Sequence, residues 1–249
     1  MKLAVAIPEI VECNMAHNFS QVEAYIHQGV AQGASLLLLP EAVLTGLVIS
    51  DDYDTDITYA IPVTHDYIAK IQGLASKYQM WIAFGFLEND QGTIFDSAIL
   101  INNTGDIVLH QKRITYGWCC PKADPKLYGF GQRYETVVTP WGKTGFMICG
   151  DLFNDPQPAI DAKLDLLLFP YARCAGDWST NHQADWDQVE WPEYKAQIAK
   201  VGAMTLGANY IAPAEGSPWS GGFGGGFITD GNGELLAVQR LETPGVLFM

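Results

Sequence analysis

Three ionisable side chains stand where buried runs of the sequence end. Glu41 follows Leu36-Leu37-Leu38-Leu39-Pro40, Lys112 closes the strand-like run through Leu109, and Cys149 closes Gly145-Phe146-Met147-Ile148. A thiol attacks carbon only as its thiolate, so it needs a base to take its proton. It also needs a cation or amide donors to hold the charge that grows on the attacked group. A carboxylate, an ammonium and a thiol supply those roles, and the carboxyl ends of strands are where open α/β sheets bind ligands. Each residue also has a plainer reading taken singly: a helix-start or surface acid for Glu41, a solvated lysine for Lys112, a packed core thiol for Cys149.

Other chemistries find less support. The histidines are scattered without metal spacing, and the Cys119-Cys120 pair lacks a second ligand pair, so neither a metal nor a cofactor is expected. Glycine-rich 221–226 has the wrong spacing for a nucleotide loop and runs into a strand rather than a helix. His182, downstream of Cys149, leaves open a Cys–His acyl transferase that would use Asn209 as orienting group. With 14 basic against 28 acidic residues, the formal charge of −14 argues against a nucleic-acid partner. No apolar stretch approaches the roughly 18 residues of a spanning helix. The N-terminus enters a strand-like segment, Leu3 to Ile7, without a signal pattern, and five cysteines make an odd count. These features lead us to expect a cytoplasmic protein with a small-molecule substrate and no membrane partner.

The elements that must position the three groups are short aliphatic runs alternating with helical periods, an α/β pattern on one domain spanning 1–249. Helices are expected over 19–32, 61–78 and 192–206. Strands are expected over 3–8, 35–39, 81–87, 97–102, 106–111, 136–139, 144–149, 165–169, 208–213, 225–229 and 234–239, too many for one sheet. Two hairpins, turning at Asn103-Thr104-Gly105-Asp106 and at Asp230-Gly231-Asn232-Gly233, echo each other, as do the runs ending in Pro40 and Pro170. The echoes predict two similar halves packed about a pseudo-twofold.

The segments Leu39-Pro40-Glu41 with Gly46, Gln111-Lys112-Arg113, and Gly142-Lys143-Thr144-Gly145-Phe146-Met147-Ile148-Cys149-Gly150-Asp151 resemble, in order and separation, the three signature segments of the nitrilase superfamily. The likeness continues through Leu166–Pro170, Ala208-Asn209 and the hairpin Gly226–Ala237, nearly the whole chain. It implies a four-layer α-β-β-α sandwich with two mixed sheets. It also implies an amidohydrolase in which Cys149 forms an acyl-enzyme with a small amide or N-carbamoyl compound. Glu41 would be the general base, and Lys112 with the backbone N–H of Gly150 would hold the oxyanion. The family's pairing mode implies a homodimer through segments 156–164 and 192–206.

There are departures from the pattern. Ile114 stands where many members have His, and Phe153-Asn154-Asp155-Pro156 follows the cysteine. Asp124 falls where a second active-site glutamate is expected, so it is the candidate supporting acid. Arg173 replaces a pocket tryptophan and is a candidate clamp for a substrate carboxylate, unless it pairs with an acid such as Asp177 or Asp185. Trp118 and Trp178 are candidate pocket walls. The altered glutamate keeps a second alternative in view, a catalytically impaired binding protein on the same fold.

Overall fold

Leu36 to Leu39 are all buried, yet on two faces. Leu36 and Leu38 join a core that also holds Val5, Phe146, Leu168 and Leu206, whereas Leu37 and Leu39 join Phe19, Ile26, Ile68 and Ile71. This is the period-2 alternation of a strand covered on both sides. In the computed structural model, which describes residues 1–174, 176, 181–213 and 221–249, a third core gathers Phe169, Tyr171, Tyr194, Ile198 and Phe227. Three apolar cores separate four layers, the expected α-β-β-α sandwich.

The described strands are β1 (Lys2–Ile7), β2 (Ala34–Leu38), β3 (Trp81–Asp90), β4 (Thr93–Ile101), β5 (Ile107–Lys112), β6 (Thr136–Thr139), β7 (Gly142–Phe146), β8 (Leu166–Pro170), β9 (Met204–Ala208), β10 (Ile211–Ala212), β11 (Gly222–Thr229), β12 (Leu235–Leu241) and β13 (Gly245–Phe248). One sheet runs β13-β1-β2-β3-β4-β5. The other runs β10-β11-β9-β8-β7-β6, with β12 on β11. Around β1 and β2 the pairings run antiparallel, parallel, parallel, antiparallel, antiparallel from β13 to β5. From β6 through β7, β8, β9 and β11 to β12 the same series recurs. The two halves heard in the sequence are thus two sheets of one pattern.

The helices are α1 (Met15–Ala31), α2 (Tyr53–Asp56), α3 (Asp66–Tyr78), α4 (Asp151–Asn154), α5 (Gln157–Ala162), α6 (His182–Asp185) and α7 (Trp191–Val201), with a π-helical turn at Trp186–Glu190. Asn14 caps α1 by accepting from the His17 N–H. The helix expected over 192–206 stops at Val201 because Gly202, at φ +76°, closes it in the left-handed conformation. The strand expected over 208–213 is instead β9 and β10, divided at Asn209 and Tyr210. Strand β13 went unread in the sequence; its pairing with β1 is a contact between opposite ends of the chain.

Sheet and site meet at Gly85. A Cβ there would lie 2.6 Å from the Cα of Glu41, so only glycine lets β3 pass the turn that carries this carboxylate. The Gly85 N–H donates to Pro40 O (2.9 Å) and Val43 N–H donates to Gly85 O (3.1 Å). Gly85→Ala is therefore expected to destabilise the fold by about 1–3 kcal/mol, the usual cost of overpacking, read as a lower urea midpoint. An unchanged midpoint would show that the turn yields.

Candidate active site

Beyond β7 the chain still pairs with β8: Met147 N–H donates to Leu168 O and Cys149 N–H to Pro170 O, each at 3.1 Å. It then turns sharply. Cys149 has φ +46°, a left-handed conformation that side chains other than glycine's adopt at a steric cost. The turn lifts the thiol out of the strand line, half-buried, with Sγ 3.7 Å from Ala172 O. Gly150 caps α4 directly afterwards.

The cation facing this thiol is Arg113. A Cβ on Gly150 would meet Arg113 Nη2 at 2.4 Å, so the guanidinium packs directly against the residue after Cys149. Arg113 Nη1 donates to Glu41 Oε1 at 3.0 Å and to Asp96 Oδ2 at 3.2 Å, and Nη2 donates to Tyr116 O at 3.3 Å. Glu41 is 0%, Asp96 1% and Arg113 3% exposed. The other oxygens, Glu41 Oε2 and Asp96 Oδ1, meet no hydrogen-bond donor among the described residues. Burial foremost, then the charges of Asp96 and Cys149, raise the Glu41 carboxyl well above its ordinary range against the pull of Arg113. For Arg113 burial works against the charge, but the negative charges of Cys149, Glu41, Asp96 and Asp151 outweigh it.

Asp151 holds the loop carrying Arg113 to the turn carrying Cys149. Its Oδ1 accepts from Thr115 N–H (2.9 Å), Thr115 Oγ1 (2.8 Å) and Ile114 N–H (3.1 Å), while Oδ2 accepts from Ile148 N–H (3.3 Å). Burial pushes this carboxyl up, and Arg113 and the Thr115 bonds pull the other way. Among the described residues no cluster of three His, Cys, Asp or Glu side chains is arranged to hold a metal.

The structure brings Glu41, Cys149 and Gly150 together but sends Lys112 elsewhere. Lys112 Nζ pairs with Asp90 Oδ2 at 2.6 Å and sits 3.7 Å from the Phe95 ring centre, partly exposed on the opposite face of β5. The reason is strand parity. Leu109 and Gln111 are buried on the side of Arg113, His110 and Lys112 alternate outward, and a bulge at Val108 sets this phase. Adjacent Lys and Arg are chemically plausible alike, and the motif reading took the wrong one of the two for this position.

Asp124 is also displaced from its expected place: it is an exposed turn acid whose Oδ1 accepts from Lys126 N–H at 2.9 Å. The acid beside the cation is Asp96, which the sequence reading missed. Its signal was an ionisable residue sharing the inward parity of Ala98 and Leu100 in β4, a position that demands a counter-charge. Arg173 has its Nε 3.2 Å from Glu190 Oε2 and its Nη2 on Oε1 of the same carboxylate. The chain's own acid thus occupies the fork that was expected to clamp a substrate. The partner described is Glu190, and Asp177 lies outside the described residues. Trp118 packs on Tyr128 and Phe130 in the cluster that includes Ala42, next to Glu41. Trp178 lies outside the described residues. His182 is set against Glu242 (2.7 Å). Asn209 serves the backbone, donating to Arg173 O and Gly224 O at 3.0 Å.

A family profile described as "Carbon-nitrogen hydrolase" matches residues 2–248. A probable nitrilase of Schizosaccharomyces pombe is 25% identical over 252 residues, covering 94% of this chain and 82% of that protein. A citrullinase of Francisella tularensis is 22% identical over 250 residues, covering 94% and 83%. The structure of an amidase from Nesterenkonia sp. AN1 bound to acrylamide superposes with TM-score 0.80 at 18% identity, over 100% of this chain and 89% of that one. In another structure that amidase carries the acetamide moiety of fluoroacetamide on its active site cysteine. The superposition shows the same fold, and the profile, running from one end to the other, shows the lineage: this chain belongs to the carbon–nitrogen hydrolase family of the nitrilase superfamily, whose enzymes act on carbon–nitrogen bonds other than peptide bonds.

Proposed function

We propose that the protein hydrolyses a small amide or N-carbamoyl compound through an acyl-enzyme on Cys149, with Glu41 as base and Arg113, rather than Lys112, as the cation. The observation that carries this is the buried Glu41–Arg113 pair set against a cysteine on a strained turn. Glu41 takes the thiol proton as Sγ bonds to the carbonyl carbon. The carbonyl oxygen becomes an oxyanion, and Arg113 Nη2 and the backbone N–H of Gly150 are the donors at hand. The C–N bond then breaks, Glu41 returns its proton to the leaving nitrogen, and a thioester remains. Water, deprotonated by Glu41, attacks the thioester, and the thiolate leaves and takes that proton back from Glu41, restoring the thiol and the free carboxylate. Trp118 is taken as an apolar wall of the pocket. The amidase and citrullinase relatives favour amide and carbamoyl substrates. An arginine in place of the family's lysine keeps a permanent charge and spreads it over a planar donor set.

Cys149→Ser and Glu41→Gln are expected to abolish ammonia release from an amide panel. Arg113→Ala should lower kcat by about 10²–10³, the usual loss for one oxyanion donor, with Arg113→Lys falling between. Lys112→Ala should change kcat/KM by less than about threefold, under ~1 kcal/mol of barrier. If Lys112→Ala were inactive and Arg113→Lys fully active, the lysine would be the cation after all.

Alkylation gives a second check. Burial, and then the Asp51 charge, push the Cys119 thiol up to about 11, so at pH 8 it stays protonated. Iodoacetamide should label Cys149 while leaving Cys119 unmodified in peptide mass spectra. Preferential labelling of Cys119 would contradict the assigned nucleophile.

The proposal includes a homodimer. Helices α5 and α7 flank the turn after Cys149, and Val189, 61% exposed just before α7, is an apolar contact to cover. Light scattering at micromolar concentration should give twice 27.3 kDa, and a monomer mass would remove this part.

A further inference from the structure

Three carboxylates, Glu41, Asp96 and Asp151, surround one buried guanidinium. Asp151 is satisfied by its bonds to Thr115, Ile114 and Ile148. Glu41 and Asp96 are not. Each places one oxygen on the same nitrogen, Arg113 Nη1, and leaves the other oxygen without a donor among the described residues, though both residues are essentially inaccessible to water. Two carboxylates held on one nitrogen repel if both are charged, and a buried acceptor without a donor costs the full desolvation of that atom. One proton between the two orphan oxygens removes both penalties at once.

We propose that Glu41 and Asp96 share a single proton, held in a hydrogen bond between their outer oxygens, so that Asp96 is a positioning residue acting through the general base. This rests on the active-site reading above. The cluster of Glu41, Asp96, Arg113 and the shared proton is then neutral in the resting enzyme. With that proton on Asp96, Glu41 faces Cys149 as an anion able to accept the thiol hydrogen: the S–H bond breaks and an O–H bond forms on Glu41. The cluster then carries one positive charge opposite the developing oxyanion. The same O–H later breaks to protonate the leaving nitrogen, while the proton on Asp96 stays. The remaining groups facing the pair are Arg113 beyond β5, Cys149 and Asp151 beyond β7, Tyr210 beyond β9, and Cys119 in the loop after Arg113. Burial raises the Tyr210 phenol and the Cys119 thiol, which leaves both neutral near pH 7. Burial and then the Asp96 charge raise the Glu41 carboxyl, which strengthens it as the acceptor of the thiol proton.

The test is infrared spectroscopy of the full chain at neutral pH, in H2O and after exchange into D2O. The wild type should show the C=O stretch of a protonated, buried carboxylic acid, displaced on deuteration. Glu41→Gln and Asp96→Asn preserve shape, and circular dichroism checks their folding; each should lose the band, whereas Asp151→Asn should keep it. Absence of the band in the wild type, or its retention in either Glu41→Gln or Asp96→Asn, overturns the shared proton. The readout needs no substrate, so an inactive protein would defeat the function proposed above without touching this inference, and an active enzyme lacking the band would do the reverse.

Discussion

A guanidinium buried to 3% exposure is the constraint around which this molecule is organised. Removing the compensation of such a charge typically costs about 3–5 kcal/mol. Arg113 draws that compensation from four directions: Glu41 beyond β2, Asp96 in β4, the Tyr116 carbonyl in its own loop and the field of Asp151 at α4. These elements come from both sheets. The charge therefore ties the sandwich together where its inter-sheet core gives way to ions.

The packing around the guanidinium leaves little freedom. Gly150 has no Cβ because Arg113 Nη2 fills that space, and Gly85 has none because the backbone of Glu41 does. Asp151 then fixes the relative height of the Arg113 loop and the Cys149 turn through four hydrogen bonds. Energy spent on the left-handed Cys149 and on burying charged groups is offset by the surrounding cores, whose leucines, isoleucines and aromatics are almost wholly withdrawn from water. Asp96 stands in β4 itself, and Glu41, Arg113 and Cys149 stand on the turns just beyond β2, β5 and β7, where hydrogen bonds to neighbouring elements hold them.

The repetition of one pairing series in both sheets gives the site its asymmetry. Equivalent strands β2 and β8 lead into Pro40, two residues past β2, and Pro170, the last residue of β8, but one run continues into Glu41 and the other into Tyr171, a fully buried ring stacked on Phe169 and Trp186. One half thus supplies a buried carboxylate beside Arg113, while its counterpart supplies buried aromatic packing. Arg173, two residues after Tyr171, pairs with Glu190.

The sequence by itself determined the layered fold, most strand positions and the two buried runs that Glu41 and Cys149 follow, because these depend on local properties: apolar runs of period 2 and turn residues at hairpins. It also told of two similar halves, which the sheets repeat. It did not determine which of two adjacent cations faces the thiol. That choice turns on a bulge at Val108 and the resulting phase of β5, and a bulge is decided by pairing with β4 rather than by the strand's own residues. Nor did it reveal Asp96, whose partners Glu41 and Arg113 are distant along the chain. A buried acid is recognisable as functional only once tertiary packing shows the charge it must neutralise.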